Sequence, residues 1–323
     1  MILIITLNPL LERRFYYPFV TEGKVNRNGK VFFQAGGKGL NVSRQLKKFG
    51  IDSYNLFFSG GNDGKILRDC LKKEELQFTS VHIEAETRQA AVIISQNEKK
   101  ITSFFSENPT ITDKEVDEMK SRIEKMIHNC EMVVISGSSP SPNADKLIPF
   151  TLKLANELDK ISVCDYYGKI FFEVISSSPT IIHNNFIEVE ESLNIKLQNE
   201  NQITDFLNTL YQNGIKRVFL TNDGMDFYAQ NFDYRYKISP PKINSIDSTG
   251  SGDAFVAAII YAWRKGFVFD ESLKFATACG ALNAESFEVC QVAVDDILLL
   301  KEKVKIEPIG KKMKMIDDSP HQE

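Results

Sequence analysis

Short apolar runs rich in β-branched residues alternate along this chain with stretches whose apolar positions recur every three or four residues. The runs lie at residues 2–7, 54–58, 132–135, 161–165, 180–182 and 217–220. Runs of this length separated by helical patterns predict βα units around a mostly parallel sheet. Among the helical stretches, residues 39–49 place Val42, Leu46 and Phe49 on one face, and Gly50 follows as a C-terminal stop. Residues 112–129 open on Thr112-Asp113-Lys114-Glu115, a capping-box pattern.

Two regions break the alternation. Residues 14–34 are rich in aromatic side chains, and residues 90–95 and 101–105 read as the strands of a hairpin across Asn97-Glu98-Lys99-Lys100. Together they predict a small sheet outside the main one, placed to cover a substrate and exclude water. Residues 310–323 are polar and charged and are expected to form a mobile tail.

Composition narrows the class of protein without naming a reaction. With 323 residues, 42% hydrophobic and 25% charged, the chain has the make-up of an ordinary soluble globular protein, and its net charge of -4 gives no electrostatic reason to expect a nucleic-acid partner. Cys70, Cys130, Cys164, Cys279 and Cys290 are scattered with no C-x-x-C pair, so neither a disulfide framework nor a zinc site is expected. That usage fits a reducing cytoplasm. The apolar N-terminal stretch is too short for a signal h-region, and no run approaches the roughly 18 residues of a membrane span.

Candidate chemistry sits in two glycine-rich segments. Gly36-Gly37-Lys38-Gly39-Leu40-Asn41 precedes a helix, where glycines allow close backbone approach to a ligand. It is not a Walker A loop, because Gly39 follows Lys38 and Phe32 stands where the leading glycine belongs. The second segment, Asp247-Ser248-Thr249-Gly250-Ser251-Gly252-Asp253-Ala254, leads into a helical stripe of Phe255, Ala258, Ile259 and Ala262. Its glycines therefore lie at a helix N-terminus, where backbone donors hold an anion. A carboxylate beside developing negative charge is a poor phosphate ligand and a sensible base for an attacking hydroxyl, which makes Asp253 the candidate base. Taken alone, Asp253 is also readable as a helix-capping carboxylate.

These segments resemble the ribokinase-like, or PfkB, carbohydrate kinases nearly end to end. The subgroup of 1-phosphofructokinase and tagatose-6-phosphate kinase opens T-L-N-P-x-x-D, which resembles Thr6-Leu7-Asn8-Pro9-Leu10-Leu11-Glu12, and its G-G-K-G-x-N matches Gly36 through Asn41. The resemblance implies a three-layer α/β/α sandwich with a mostly parallel central sheet and a small β-sheet lid. It implies one kinase domain at residues 1–309, with lid segments about 12–35 and 86–106. A homodimer formed through the lid sheet is part of the same expectation.

By the same resemblance, Asp253 is the catalytic base and Gly250, Ser251 and Gly252 form the anion hole. Glu12, Gly37, Lys38, Asn41, Arg88 and Ser138 match the sugar-phosphate site, with Glu12 standing where the family has aspartate. His183, Asn185, Thr221, Gly224 and Asn283, with Gly250 and Gly252, match the ATP site, Asn283 as a polar contact beside adenine. His183-Asn184-Asn185-Phe186-Ile187-Glu188 departs from K-P-N-x-x-E but keeps Asn185 and Glu188, which the resemblance assigns to Mg2+ through water; taken alone, His183 reads as a strand-end packing residue. Asp223 and Asp226 occupy the glycine positions of S-L-G-x-x-G. Asp247 matches an aspartate that ribokinase associates with a monovalent cation, so K+ is a candidate there. The expected reaction is ATP-dependent phosphorylation of fructose 1-phosphate or tagatose 6-phosphate to a bisphosphate. The rival readings are a kinase of an unphosphorylated sugar or nucleoside, and a sugar-phosphate-binding protein with weak kinase activity.

Overall fold

A computed structural model describes residues 1–309, so the expected tail at 310–323 lies outside the described residues. Strands β1 (Ile2–Thr6), β2 (Leu10–Tyr17), β3 (Lys30–Gly36), β4 (Ser53–Ser59) and β5 (Gln77–His82) open the chain. They are followed by β6 (Gln89–Ser95), β7 (Lys100–Phe105), β8 (Met132–Ser136), β9 (Ile161–Asp165) and β10 (Ile181–Asn185). The last are β11 (Arg217–Thr221), β12 (Phe227–Asn231), β13 (Tyr234–Ser239) and β14 (Lys305–Ile309).

Ten strands form one sheet in the order β14-β13-β12-β11-β10-β9-β8-β1-β4-β5, parallel from β5 to β11 and antiparallel from β11 to β14. Its strands alternate between two cores. In β1, Leu3 and Ile5 join the core shared with helices Asp113–Ile127, Leu147–Glu157 and Glu200–Gln212. Ile2 and Ile4 join the opposite core, with helices Lys38–Lys48, Ser251–Lys265 and Phe269–Ala284. A period of two residues in a strand buried on both faces produces this division into three layers. The capping box at Thr112 is formed, its hydroxyl accepting from the Glu115 amide while Glu115 accepts from the Thr112 amide.

The remaining strands build a separate small sheet, β3-β2-β6-β7. Its strands β2 and β3 leave the main sheet at the end of β1 and β6 and β7 leave it at the end of β5, so it stands over the C-terminal ends of the parallel strands. Strand β1 lies between β4 and β8, and strand order reverses there, which opens the crevice in which α/β sheets bind ligands. No helix among the described residues is long and apolar enough to cross a membrane.

Candidate active site

Helix Ser251–Lys265 begins at Gly250, whose φ of 78° lies in the left-handed region. A side chain there would also place its Cβ 2.4 Å from the Val289 side chain, so backbone and packing both call for glycine. The amides of Gly252 and Asp253 lie in the first turn, where the helix itself supplies them no acceptor and an anion is favoured. The Ser251 amide is satisfied within the turn by the Ser248 carbonyl, at 3.0 Å.

Asp253 stands in the first turn and is only 4% exposed. One of its oxygens accepts from Asn41 Nδ2 at 2.8 Å. Burial, reinforced by the negative charge of Asp165 and opposed by Lys38, Asn41 and His183, pushes its carboxyl up to about 7. Such a carboxyl takes up and returns a proton near neutral pH. Asn41 is fixed in turn by Arg44, whose Nη1 donates to Asn41 Oδ1 at 2.7 Å while its Nε reaches Glu74 at 2.7 Å. Matched by resemblance to the sugar site, Asn41 here directs its amide at Asp253.

Gly37 precedes helix Lys38–Lys48 with a φ of 128°, and a Cβ there would sit 3.1 Å from the Thr6 side chain. This close passage sets Lys38 at the mouth of the crevice. Its ammonium lies 3.1 Å from Asp165 Oδ1, 2.5 Å from Glu188 Oε1 and 4.9 Å from the centre of the Tyr167 ring. Burial works against the charge, but Asp165, Glu188 and Asp253 outweigh it and raise the lysine above its usual range.

Arg88, between β5 and β6, is the contrasting cation. Its Nη2 donates to the Asn8 carbonyl at 2.9 Å and its Nη1 to Asn108 Oδ1 at 3.3 Å. Asn8 Nδ2 meets Asn108 Oδ1 at 3.0 Å and Ser138 Oγ at 3.2 Å, which brings Ser138 into the same cluster. No carboxylate pairs with Arg88 among the described residues, and its Nε is buried without a partner. Burial lowers its proton affinity, with only Tyr167 opposing. A desolvated guanidinium in this state favours an incoming anion.

Glu12, on β2, is buried, and its Oε2 accepts from Arg14 Nη1 at 2.8 Å. Arg14, 2% exposed, also donates to the Phe287 carbonyl at 2.9 Å. The longer side chain at position 12 thus comes with a cation two residues along the same face of the strand.

On the nucleotide side two of the matched residues are enclosed by the fold. His183 does not present a free ring to a phosphate: it is 3% exposed, its Nδ1 is 3.2 Å from Asp165 Oδ1, its Nε2 is 3.3 Å from Thr221 Oγ1, and it stacks on Phe255 with centroids 5.3 Å apart. Asn283 is likewise enclosed. Its Nδ2 donates to the Thr249 carbonyl at 2.8 Å and to Ser251 Oγ at 3.2 Å, and its Oδ1 accepts from the Cys290 amide at 2.7 Å. It is a strut that holds the Gly250 turn against the chain at Cys290. Helical spacing alone does not reveal this, because the partners are remote in sequence.

Asn185 and Glu188 form a capping box at helix Phe186–Leu193: Asn185 Oδ1 accepts from the Glu188 amide at 2.8 Å, and Glu188 Oε2 from the Asn185 amide at 3.1 Å. Glu188 Oε1 remains directed at a positive charge, that of Lys38. No cluster of three or more His, Cys, Asp or Glu side chains suited to a metal occurs among the described residues. This donor set fits Mg2+ carried largely by phosphate oxygens and water, with Glu188 as its protein anion. Gly224, with a φ of 80°, makes the turn after Thr221, while Asp226 is ion-paired to Lys237 at 3.1 Å, which balances its charge. Asp247 Oδ1 accepts from the Thr249 amide at 3.0 Å and shapes the turn leading to Gly250.

Asp165, Asn8, Asn108, Tyr167 and Arg14 complete this constellation but carry no assigned role in the sequence reading. Asn8 was visible as part of the Thr6-Leu7-Asn8-Pro9 motif. Asp165 closes an apolar run, a position from which a strand delivers its last side chain to the crevice.

Residues 3–295 match the pfkB family of carbohydrate kinases. The chain is 30% identical over 298 residues to a tagatose-6-phosphate kinase of Staphylococcus epidermidis, covering 91% of this chain and 96% of the relative. It is 27% identical over 313 residues to a 1-phosphofructokinase of Borreliella burgdorferi, covering 96% and 99%. Among solved structures, a possible 1-phosphofructokinase of Thermotoga maritima shares the fold with a TM-score of 0.87 at 24% identity, covering 96% of this chain and 100% of the other. Escherichia coli phosphofructokinase-2, in complex with substrates and products, shares it with a TM-score of 0.82 at 20% identity, covering 93% and 98%. The buried carboxylate at a glycine-capped helix thus stands in an ATP-dependent carbohydrate kinase, and the chain belongs to the pfkB family.

Proposed function

We propose that this kinase transfers the γ-phosphoryl group of ATP to a ketohexose phosphate, tagatose 6-phosphate or fructose 1-phosphate, and so makes a bisphosphate. The observation that carries the reading is Arg88, a partly buried guanidinium with no carboxylate partner among the described residues, joined to Ser138 through Asn8. The two named relatives act on sugar phosphates of this kind by their names, which supports the choice.

In this reading the phosphate already on the sugar sits against Arg88 and Ser138, with Lys38 and the loop at Gly37 closing over it. Glu12, its rotamer set by Arg14, faces the sugar hydroxyls. Asp253 takes the proton of the attacking hydroxyl as its oxygen bonds to the γ-phosphorus and the bond to the ADP oxygen breaks in line. The Gly250, Ser251 and Gly252 turn receives the charge on the transferring group through backbone amides fixed before the reaction begins. Mg2+, when bound, neutralises phosphate charge, and Glu188 is the side chain that would face it through water. Thr221 and Gly224 shape the floor on the nucleotide side. His183 and Asn283 act from behind the site, the one packed under the anion turn and the other tied to it.

An ATP-consumption screen over hexose phosphates and free sugars tests the assignment. One of the two ketohexose phosphates is expected to turn over fastest. Faster turnover of fructose, ribose or a nucleoside would reject it, and stabilisation by sugar phosphate without any turnover would favour a binding protein. The reading also includes a monovalent cation beside Asp247, in line with the potassium complex of the E. coli relative. Activity is expected to be higher in potassium than in choline at equal ionic strength, and equal rates would remove the cation. A second copy packed on the small sheet belongs to the same proposal, supported by Val31, Phe32, Phe33, Phe104 and Phe105, all exposed on the two edge strands of that sheet.

A further inference from the structure

Asp165 is a fully buried carboxylate that the reaction as described does not use. It stands at the end of β9 and accepts from Ser136 Oγ at 2.9 Å on β8, from Lys38 Nζ at 3.1 Å on helix Lys38–Lys48, and lies 3.2 Å from His183 Nδ1 on β10. A carboxylate this deep would normally lose its charge, but Lys38, His183 and Ser136 together hold it below its usual range in spite of burial. Its partners come from both sides of the reaction. Lys38 belongs to the sugar-phosphate loop, whereas the His183 ring packs against the anion turn, 3.0 Å from where a Cβ on Gly252 would lie.

We propose that Asp165 is a positioning residue for phosphoryl transfer: its fixed charge anchors the Lys38 ammonium and the His183 ring around Asp253, so that sugar phosphate, base and anion turn keep one geometry. The assignment rests on the reading of Asp253 as the base. Asp165 acts through Lys38 and His183, and through its field on Asp253, and touches neither substrate.

The charged and titratable groups that face Asp253 come from four directions. Asp165 acts from β9, His183 from β10, and Lys38 from helix Lys38–Lys48, where Arg44 also stands behind Asn41. Cys290 approaches from the chain beyond helix Phe269–Ala284, its thiol pushed well above its usual range by burial and by the charge of Asp253. Of these, Asp165 is the one whose negative charge makes Asp253 hold its proton more tightly. Neutralising it therefore has a defined sign: Asp253 gives up its proton at lower pH.

Asp165→Asn keeps the shape and the hydrogen bond to Ser136 while removing the charge. Turnover of the ketohexose phosphate is expected to fall by about tenfold to a hundredfold, the loss associated with displacement of a reacting group by roughly 1 Å. KM for the sugar phosphate is expected to rise as Lys38 loses its anchor. The acidic limb of the kcat/KM profile is expected to move to lower pH by on the order of one unit. A merely structural carboxylate would lower the melting temperature and leave that limb in place, and this outcome overturns the proposal. An unchanged kcat also overturns it. Should Asp165→Asn fail to fold, Asp165→Glu keeps the charge but shifts it by a methylene. It is expected to leave the acidic limb near its wild-type position while kcat falls, and full kcat would overturn the proposal. Asp253→Asn, measured in parallel, separates the two claims: if its kcat is near normal, the reading of the base has failed, whereas a large loss there with none at Asp165 refutes the positioning role alone.

Discussion

Asp253→Asn is expected to lower kcat by about two to four orders of magnitude, the usual contribution of a positioned general base. The substitution preserves shape, and the amide at position 253 still offers an oxygen to Asn41 Nδ2, so ground-state contacts should survive. KM for ATP and for the sugar phosphate should therefore change little, and thermal-shift titrations should show both ligands still binding. A carboxylate acting as general base is competent only when deprotonated. With the Asp253 carboxyl pushed up to about 7, kcat/KM should fall roughly tenfold per pH unit below that value, and the Asn variant should lack this limb.

The same shift has a consequence for stability. A carboxyl whose folded pKa lies above its unfolded value of about 4 binds its proton more tightly when folded, so stability is lost as the pH rises from about 4 through about 7. Above pH 7 the Asn variant is expected to melt higher than the wild type. A near-normal kcat together with an unchanged acidic limb would remove Asp253 from its role.

The second large effect is expected at Arg88. Arg88→Gln should raise KM for the sugar phosphate by about a hundredfold, equivalent to roughly 3 kcal/mol, the upper range for hydrogen bonds to a charged group. Because Gln retains donors for the Asn8 carbonyl and Asn108, the loop should keep its course, and KM for ATP should not move. The loss should be confined to phosphorylated sugars. Measuring kcat/KM for fructose beside that for its phosphate decides the matter: an equal loss on both would mean that Arg88 shapes the crevice without reading the substrate phosphate.

Both residues were open to inspection in the chain, for different reasons. Asp253 announces itself because a glycine-rich turn running into a helical stripe has few structural readings, and the helix begins at Ser251 as that pattern requires. Arg88 depended on resemblance, since a lone arginine between two strands has no local signature. Strands β12 and β13 carry no such signature. Their polar and aromatic residues, such as Gln230, Tyr234 and Lys237, lack the continuous apolar run by which the buried parallel strands were found.

Asp165 shows where local reading ends. Its five-residue run Ile161–Asp165 predicts the strand correctly, yet the carboxylate becomes significant only because β9 lies between β8 and β10. That order delivers Ser136 and His183 from the neighbouring strands, and Lys38 arrives from 127 residues away. His183 is legible as a strand-end packing residue and Asn283 as one near the nucleotide side, but the groups that enclose them are not, since their partners at Asp165, Thr221, Thr249 and Cys290 belong to other elements.

The sequence by itself determined the alternation of strand and helix, the glycine-capped turn and the carboxylate that follows it, because periodicity, caps and left-handed glycines are properties of neighbouring residues. Only the tertiary structure decided which charges are paired. Lys38 and Arg88 look alike as cations in the chain, yet one meets Asp165 and Glu188 and the other meets no carboxylate among the described residues. The proton affinity of Asp253 follows from the same packing, since desolvation and the field of Asp165 depend on distances through space that no local pattern encodes.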